Sequence, residues 1–144
     1  MNATSNSYFL DSNVWLYALL HRKDSNAADE KKRQDAIALI DSPDVVISTQ
    51  VINEVCSNLI KKAGFKEDQI KSLIQSFYDG SQVVAPNQEM LVYASNLRTQ
   101  YNFSFWDGLI VAAALQANVT VLYSEDMQDG LRVNNQLKII NPFK

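Results

Sequence analysis

The stretch Tyr8-Phe9-Leu10-Asp11-Ser12-Asn13-Val14-Trp15-Leu16 decides the fold. Tyr8-Phe9-Leu10 is a short apolar run that ends at an acid, and Val14 to Leu20 then reads as a helix. The same alternation continues outward from it. Ala27 to Ile40 places apolar residues behind a charged front half and predicts a second helix. Val45-Val46-Ile47 is a compact β-branched run after the breaker Ser42-Pro43. Thr49 to Ala63 carries Val51, Ile52, Val55, Leu59 and Ile60 at helical spacing, closed by Gly64. Glu67 to Tyr78 and Gln88 to Tyr101 predict helices around a minimal strand at Val83-Val84. Phe105 to Ala117 is apolar nearly all round, which marks a central, buried helix. Val119 to Tyr123 and Leu137 to Ile140 read as strands. Strands alternating with helices over this length imply an α/β sandwich with a mostly parallel sheet. Ligands of such sheets bind beyond the carboxyl ends of the strands, so the residues just after each strand carry the functional information.

The chain has 144 residues, with 13 Lys+Arg against 16 Asp+Glu and a formal net charge of −3. A single domain spanning residues 1–144 is the expectation, since one core commonly serves roughly 100–150 residues. A hydrophobic fraction of 47% with 20% charged residues fits a globular chain with an ample core. The mild acidity disfavours a general polyanion binder, but not nucleic acid held through metal ions. Cys56 is the only cysteine, so disulfide frameworks, cysteine zinc sites and iron–sulfur clusters are excluded. The only histidine, His21, sits in the polar run His21-Arg22-Lys23-Asp24, which suits a solvated loop better than a catalytic base. The start, Met1-Asn2-Ala3-Thr4-Ser5-Asn6, lacks the features of a signal peptide, and no apolar run approaches the ~18–20 residues of a membrane helix. A cytoplasmic location is expected.

Most acids lie among polar neighbours, but four do not. Asp11 follows Tyr8-Phe9-Leu10, and Glu54 lies in Val51-Ile52-Asn53-Glu54-Val55. Asp107 lies in Phe105-Trp106-Asp107-Gly108-Leu109, and Asp126 closes Val119 to Asp126. Each also has a purely structural reading. Asp11 can cap the following helix, and Asp107 completes a Ser104-x-x-Asp107 capping box. Glu54 falls opposite its helix's apolar stripe, where it would be a solvated acid, and Asp126 can be a turn residue. Taken together, all four can reach one edge of the sheet. Carboxylates converging there repel one another and raise each other's pKa unless cations are present. Hard divalent ions relieve this, and oxygen donors without histidine or thiolate suit Mg²⁺ or Mn²⁺. Two such ions about 3.5–4 Å apart are a known arrangement for phosphodiester cleavage.

Ser12, Asn13 and Ser124 are short polar residues beside these acids, able to orient a carboxylate or to serve ordinary turn chemistry. Glu125 and Asp129 lie close enough to Asp126 to compete for its role. Trp15, Phe105 and Trp106 read first as core and second as platforms for a stacked base. Arg22-Lys23, Lys31-Lys32-Arg33, Lys61-Lys62-Lys66 and Arg98 are the candidate cations for a phosphate backbone, each also a plausible solvated face.

At these residues the sequence resembles the PIN-domain family, especially its VapC-type ribonuclease toxins from toxin–antitoxin pairs. The matching segments are Phe9-Leu10-Asp11-Ser12-Asn13-Val14, Ser48-Thr49-Gln50-Val51-Ile52-Asn53-Glu54, Phe105-Trp106-Asp107 and Leu122-Tyr123-Ser124-Glu125-Asp126-Met127-Gln128. The ending Ile139-Ile140-Asn141-Pro142-Phe143 is similar to the family's last strand. The resemblance implies a three-layer sandwich with about five parallel strands and helices on both faces. It implies a Mg²⁺- or Mn²⁺-dependent endoribonuclease in which Asp11, Glu54, Asp107 and Asp126 are both catalytic and metal-binding. Ser124 matches a small hydroxyl position. A homodimer and a small antitoxin over the acidic groove are implied as partners.

Competing readings lack residues they require. A haloacid-dehalogenase-type phosphatase needs a second aspartate two positions after the first, where this chain has Asn13. A receiver domain needs a lysine after a late strand, where Tyr123-Ser124-Glu125 supplies none. A PIN-like module that binds RNA or protein without catalysis, and an RNA-processing nuclease that is not a toxin, remain as alternatives.

Overall fold

A computed structural model describes residues 6–21 and 26–144; Met1 to Ser5 and the loop cations Arg22 and Lys23, with Asp24, lie outside the described residues. The elements in chain order are β1 (Tyr8–Leu10), α1 (Ser12–Leu19), α2 (Ala27–Ile40), β2 (Val45–Ser48), α3 (Thr49–Ala63) and α4 (Glu67–Gly80). They continue with β3 (Gln82–Val84), α5 (Gln88–Gln100), α6 (Phe105–Gln116), β4 (Val121–Tyr123), β5 (Arg132–Val133) and β6 (Leu137–Ile140).

The six strands form one sheet in the order β3-β2-β1-β4-β6-β5. Five are parallel, as the alternation of strands and helices predicts, and β5 runs antiparallel to β6 at the edge. From β1 the chain steps outward to β2 and β3, then returns across β1 to β4. Right-handed crossovers in opposite directions place their helices on opposite faces. Accordingly α1 packs on α2 and α3 as one group, while α5 and α6 pair as the other. The sheet is therefore the middle layer of a sandwich, with its order reversing between β1 and β4.

The β-branched and large apolar strand residues carry the core. Phe9, Leu10, Val46, Ile47, Leu122 and Ile139 are all fully buried. In α6, Gly108 and the run from Ile110 to Leu115 are buried, as an all-round apolar helix requires. Small alanines there let the helix lie close to the sheet.

Several boundaries differ from the sequence expectation for identifiable reasons. Helix α1 starts at Ser12 rather than Val14, because Asp11 is its N-cap and accepts the Ser12 N–H at 2.8 Å. Helix α4 runs past Tyr78 to Gly80, and the Ser81 N–H closes its last turn on the Phe77 carbonyl at 3.0 Å. Strand β4 starts at Val121 rather than Val119, after Asn118 turns the chain at φ 62°. Strand β5 was not expected. It is two residues long and joins β6 through Asn134 and Asn135, both at positive φ. Consecutive left-handed residues match the twist of a tight hairpin, and asparagine tolerates them.

Leu122 sits at the centre of the sheet between β1 and β6. Leu122→Ala should cost about 2–5 kcal/mol by leaving a cavity there. Urea unfolding measures this, and a loss under about 1 kcal/mol would mean that the centre of the sheet collapses around the gap.

Candidate acidic site at the carboxyl edge of the sheet

Because β1 lies between β2 and β4, the residues that follow β1 and β4 meet at the point where strand order reverses. The Asp11 N–H extends the ladder to the Tyr123 carbonyl at 3.0 Å, and the Ser124 N–H reaches the Ile140 carbonyl at 3.0 Å. These bonds hold Asp11 and Ser124 side by side. Both are buried. The Ser124 hydroxyl donates to Asp11 Oδ2 at 2.9 Å, and its oxygen accepts the N–H groups of Asp126 at 3.2 Å and Met127 at 3.3 Å. Ser124 thus ties the loop after β4 to the carboxylate after β1.

Asn13 makes the second tie. Its Oδ1 accepts the Glu125 N–H at 3.2 Å, which fixes the amide's orientation. Its Nδ2 then donates to Asp11 Oδ2 at 3.4 Å and to Asp126 Oδ2 at 3.2 Å. One neutral amide therefore stands between two acids.

The other two acids arrive on helices. Ser48 caps α3 by accepting the Val51 N–H at 3.3 Å, and this puts Glu54 in the helix's second turn. Ser104 caps α6 by accepting the Asp107 N–H at 3.1 Å, so the expected capping bond is present. Gln50 Nε2 donates to the Trp106 carbonyl at 3.3 Å, clamping the starts of α3 and α6 together.

The electrostatics link all four. Burial pushes the Asp11 carboxyl up to about 6, with the charges of Asp107 and Glu54 adding to the rise and the bonds from Ser124 and Ser12 opposing it. Burial raises Glu54 as well, with bonds from Gln50 and Ser12 opposing and the charge of Asp107 adding. Burial raises Asp107, with Ser104 opposing and the charge of Asp126 adding. The charge of Asp107 is thus felt at Asp11 and at Glu54, and that of Asp126 at Asp107. Glu54 is half-buried rather than solvated, and its Oε1 is a buried oxygen with no hydrogen-bond partner.

The neighbouring acids are engaged elsewhere. Glu125 accepts from the Tyr17 hydroxyl at 2.9 Å and pairs with Lys32 at 2.7 Å. Asp129 accepts the Asn141 N–H at 2.8 Å and lies 3.8 Å from Lys144. Only Asp126 of the three is bridged to Asp11. Of the candidate cations, Lys31 pairs with Asp35 at 3.1 Å and Arg33 with Glu30 at 3.5 Å.

The aromatic residues divide against the core expectation. Trp15 is buried on Phe77, but Phe105 and Trp106 are 56% and 60% exposed. Sequence reasoning singled out Arg98 only as a generic cation. Here its guanidinium lies 4.2 Å over the Phe105 ring and donates to the Phe105 carbonyl at 3.1 Å. Gly108 makes room for it, since a Cβ there would come within 2.8 Å of Arg98 Cγ. The clamping role of Gln50 was also missed, because it joins residues far apart in sequence and no local pattern marks it.

Among the described residues no three acidic, cysteine or histidine side chains stand close enough together to hold a metal ion between them. The donor set nonetheless suits a hard divalent cation. It consists of carboxylates, with burial raising the pKa of Asp11, Glu54 and Asp107, and one buried oxygen is unpartnered. Mg²⁺ in particular keeps several waters and needs only one or two carboxylates, so an open edge fits it better than a cage would.

Comparison with known proteins adds the following. The family model described as PIN domain matches residues 8–130. No curated protein matches the sequence. A toxin–antitoxin complex from Klebsiella pneumoniae is similar with a TM-score of 0.69 at 17% identity, over 94% of this chain and 98% of that one. VapC20 from Mycobacterium tuberculosis, a sarcin-ricin-loop-cleaving toxin, is similar with a TM-score of 0.60 at 18% identity, over 81% and 87%. VapBC2 from Rickettsia felis, bound to promoter DNA, is similar with a TM-score of 0.61 at 21% identity, over 92% and 96%.

The elevated Asp11 pKa has a consequence for stability. A carboxyl raised from 3.8 to about 6 binds its proton more tightly in the folded chain. Its favourable contribution is present below about pH 4 and is lost as pH rises through 6. At neutral pH and without divalent ions the ionised group costs about 3 kcal/mol at most. Asp11→Asn should therefore be more stable than the parent at pH 7–8, with the gap closing towards pH 4. Thermal unfolding in chelator across that range tests this; equal stability at pH 8 would mean the charge is already offset by its donors.

Proposed function

The chain belongs to the PIN-domain family, and from that premise we propose that it is a Mg²⁺- or Mn²⁺-dependent endoribonuclease, the toxin of a toxin–antitoxin pair. The observation that carries this reading is the buried Asp11 carboxylate, raised to about 6, sharing its edge of the sheet with Glu54, Asp107 and Asp126. A fold that concentrates negative charge at a strand edge, and leaves Glu54 Oε1 without a donor, is suited to a cation.

Asp11 and Asp107 would hold the cation, with Glu54 and Asp126 adding negative charge at the same edge. When bound, such an ion supplies Lewis-acid chemistry at a phosphate and acidifies water near neutral pH. The chain's own residues do the rest. Ser124 and the Ser12 N–H aim the Asp11 oxygens. Asn13 spaces Asp11 from Asp126 and keeps both in place. The Lys32–Glu125–Tyr17 group fixes the loop that presents Asp126. Glu54 Oε1 is buried without a partner, while Gln50 and Ser12 bond to the same carboxyl. In-line hydrolysis would leave a 5′-phosphate and a 3′-hydroxyl.

The partner reading rests on the same footing. Similar structures are of toxin–antitoxin assemblies, which supports a small antitoxin protein covering the acidic edge. Val92 on α5 is about half-exposed and lies outside the cleft beside it, which supports a homodimer that covers it. Among the described residues no helix is long and apolar enough to cross a membrane, and an RNA substrate is in keeping with action in the cytoplasm.

Asp107→Asn should keep the fold and lower RNA cleavage by more than roughly 100-fold, since even residues that only orient a metal ligand are typically worth 10–100-fold. Chelator should abolish parental cleavage, and millimolar Mn²⁺ should raise the parent's thermal midpoint but not that of Asp11→Ala. Induced expression in a bacterium should arrest growth for the parent alone. Cleavage by Asp107→Asn at the parental rate would remove the site assignment, and equal growth of parent and Asp11→Ala would remove the toxin role.

A further inference from the structure

We propose that the cleft between α3, α5 and α6 is a nucleobase subsite, which takes one unstacked base of single-stranded RNA beside the acidic edge; its position next to the cut rests on the nuclease reading. The cleft has a volume of about 540 Å³, enough for a nucleotide. Trp106, Leu109, Met90 and Pro86 give it apolar walls, and Gln50 and Asn53 bring amides to it. Glu54 is the one charged residue among those lining it. A phosphate would be repelled there, whereas a flat, neutral ring with polar edges matches both kinds of lining.

Three features favour a base over other occupants. Trp106 is held with its indole largely exposed at the cleft, its backbone pinned by Gln50. An exposed ring is a stacking platform open to any base, because every base has a π-face. Asn53 is exposed, and its amide makes no hydrogen bond within the described residues, so both its donor and its acceptor are free to read a base edge. Finally, the cleft is continuous with the acidic edge. Glu54 belongs to both, and Asp107 directly follows Trp106 in the chain. A strand whose phosphate lies at the acids therefore has a neighbouring base within reach of the cleft.

The rim supplies the cation such a strand needs. Arg98 stacks on Phe105, and Phe105 meets Trp106 edge-on with ring centroids 5.1 Å apart. This tier puts a guanidinium beside the aromatic platform without placing it in the cleft. Arg98 forms no ion pair with a carboxylate among the described residues, unlike Lys31, Lys32 and Arg33. Base in the cleft, phosphates along Arg98 and the acids is the arrangement the charges favour. Because a base inside a duplex is stacked on both faces, the subsite selects single-stranded or looped RNA.

The test is binding of labelled single-stranded pentamers of A, C and U to the full chain carrying Asp126→Asn, which lies outside the cleft and on the nuclease reading suppresses cutting. Adding Trp106→Ala should weaken binding by roughly 5- to 150-fold, the range for loss of one stacked base. Trp106→Phe should retain most of the affinity, and Asn53→Ala should change the ranking of the three pentamers. Unchanged affinity in Trp106→Ala, or no binding of any pentamer by the full chain, would overturn the subsite. So would unaltered RNA binding in Trp106→Ala combined with a change in sedimented mass, which would make the cleft a protein contact. Parental RNA cleavage is measured in parallel. Cleavage with no effect of Trp106→Ala removes only the subsite, and Trp106-dependent binding without any cleavage removes only the nuclease.

Discussion

The structure around the candidate site depends on one buried carboxylate. Asp11 ends the central strand β1, and the backbone ladder to Tyr123 fixes where it stands. It accepts from the Ser12 N–H, the Ser124 hydroxyl and the Asn13 amide, three donors for one ionised group. Those donors lessen the cost of burial but do not cancel it, since its pKa still rises to about 6. Each donor also organises something further. Ser12 opens α1, Ser124 folds the loop after β4, and Asn13 carries the connection on to Asp126. Removing the carboxylate would leave these groups without the centre they share.

How far this was legible in the sequence depends on the range of the interactions. The strands and helices follow from local runs, and Ala27–Ile40 and Thr49–Ala63 match their expected bounds because caps and breakers mark both ends. The parallel sheet follows from alternation. Strand β5 was missed because two residues carry no periodicity; the Asn134-Asn135 pair was its one local signal. In the site, Asp11 and Asp107 stood out through apolar neighbours and position. The choice among Glu125, Asp126 and Asp129 could not be made locally. It turns on Lys32, Tyr17, Asn141 and Lys144, which reach those acids across the fold. The exposure of Trp106 was equally hidden, because an aromatic residue at the start of an apolar helix reads as core until the neighbouring helix is in place.

The net charge of −3 takes on a different meaning once these contacts are known. Setting aside the four edge acids leaves 16 − 4 = 12 acids against 13 bases, a remainder of +1. Two of those bases, Lys31 and Arg33, are already paired with acids on the face of α2, where exposed pairs contribute little to stability. The acidity is thus local rather than general. A polyanion approaching this chain meets a nearly neutral surface with one strongly negative edge, and a divalent ion at that edge would reverse the sign where it matters most.

The structural and functional readings of the acids turn out not to compete. Asp11 is a helix cap, and Asp107 lies in the first turn of α6. Helix N-termini carry partial positive charge from unpaired N–H groups, and carboxylates are favoured there. Two of the four acids therefore sit where the backbone itself offsets part of their repulsion. The α/β architecture delivers the N-termini of α1, α3 and α5 to the carboxyl edge of the sheet directly after β1, β2 and β3. A cluster of acids can persist at such an edge without a basic side chain to neutralise it, and the remaining deficit is left for a cation from solution.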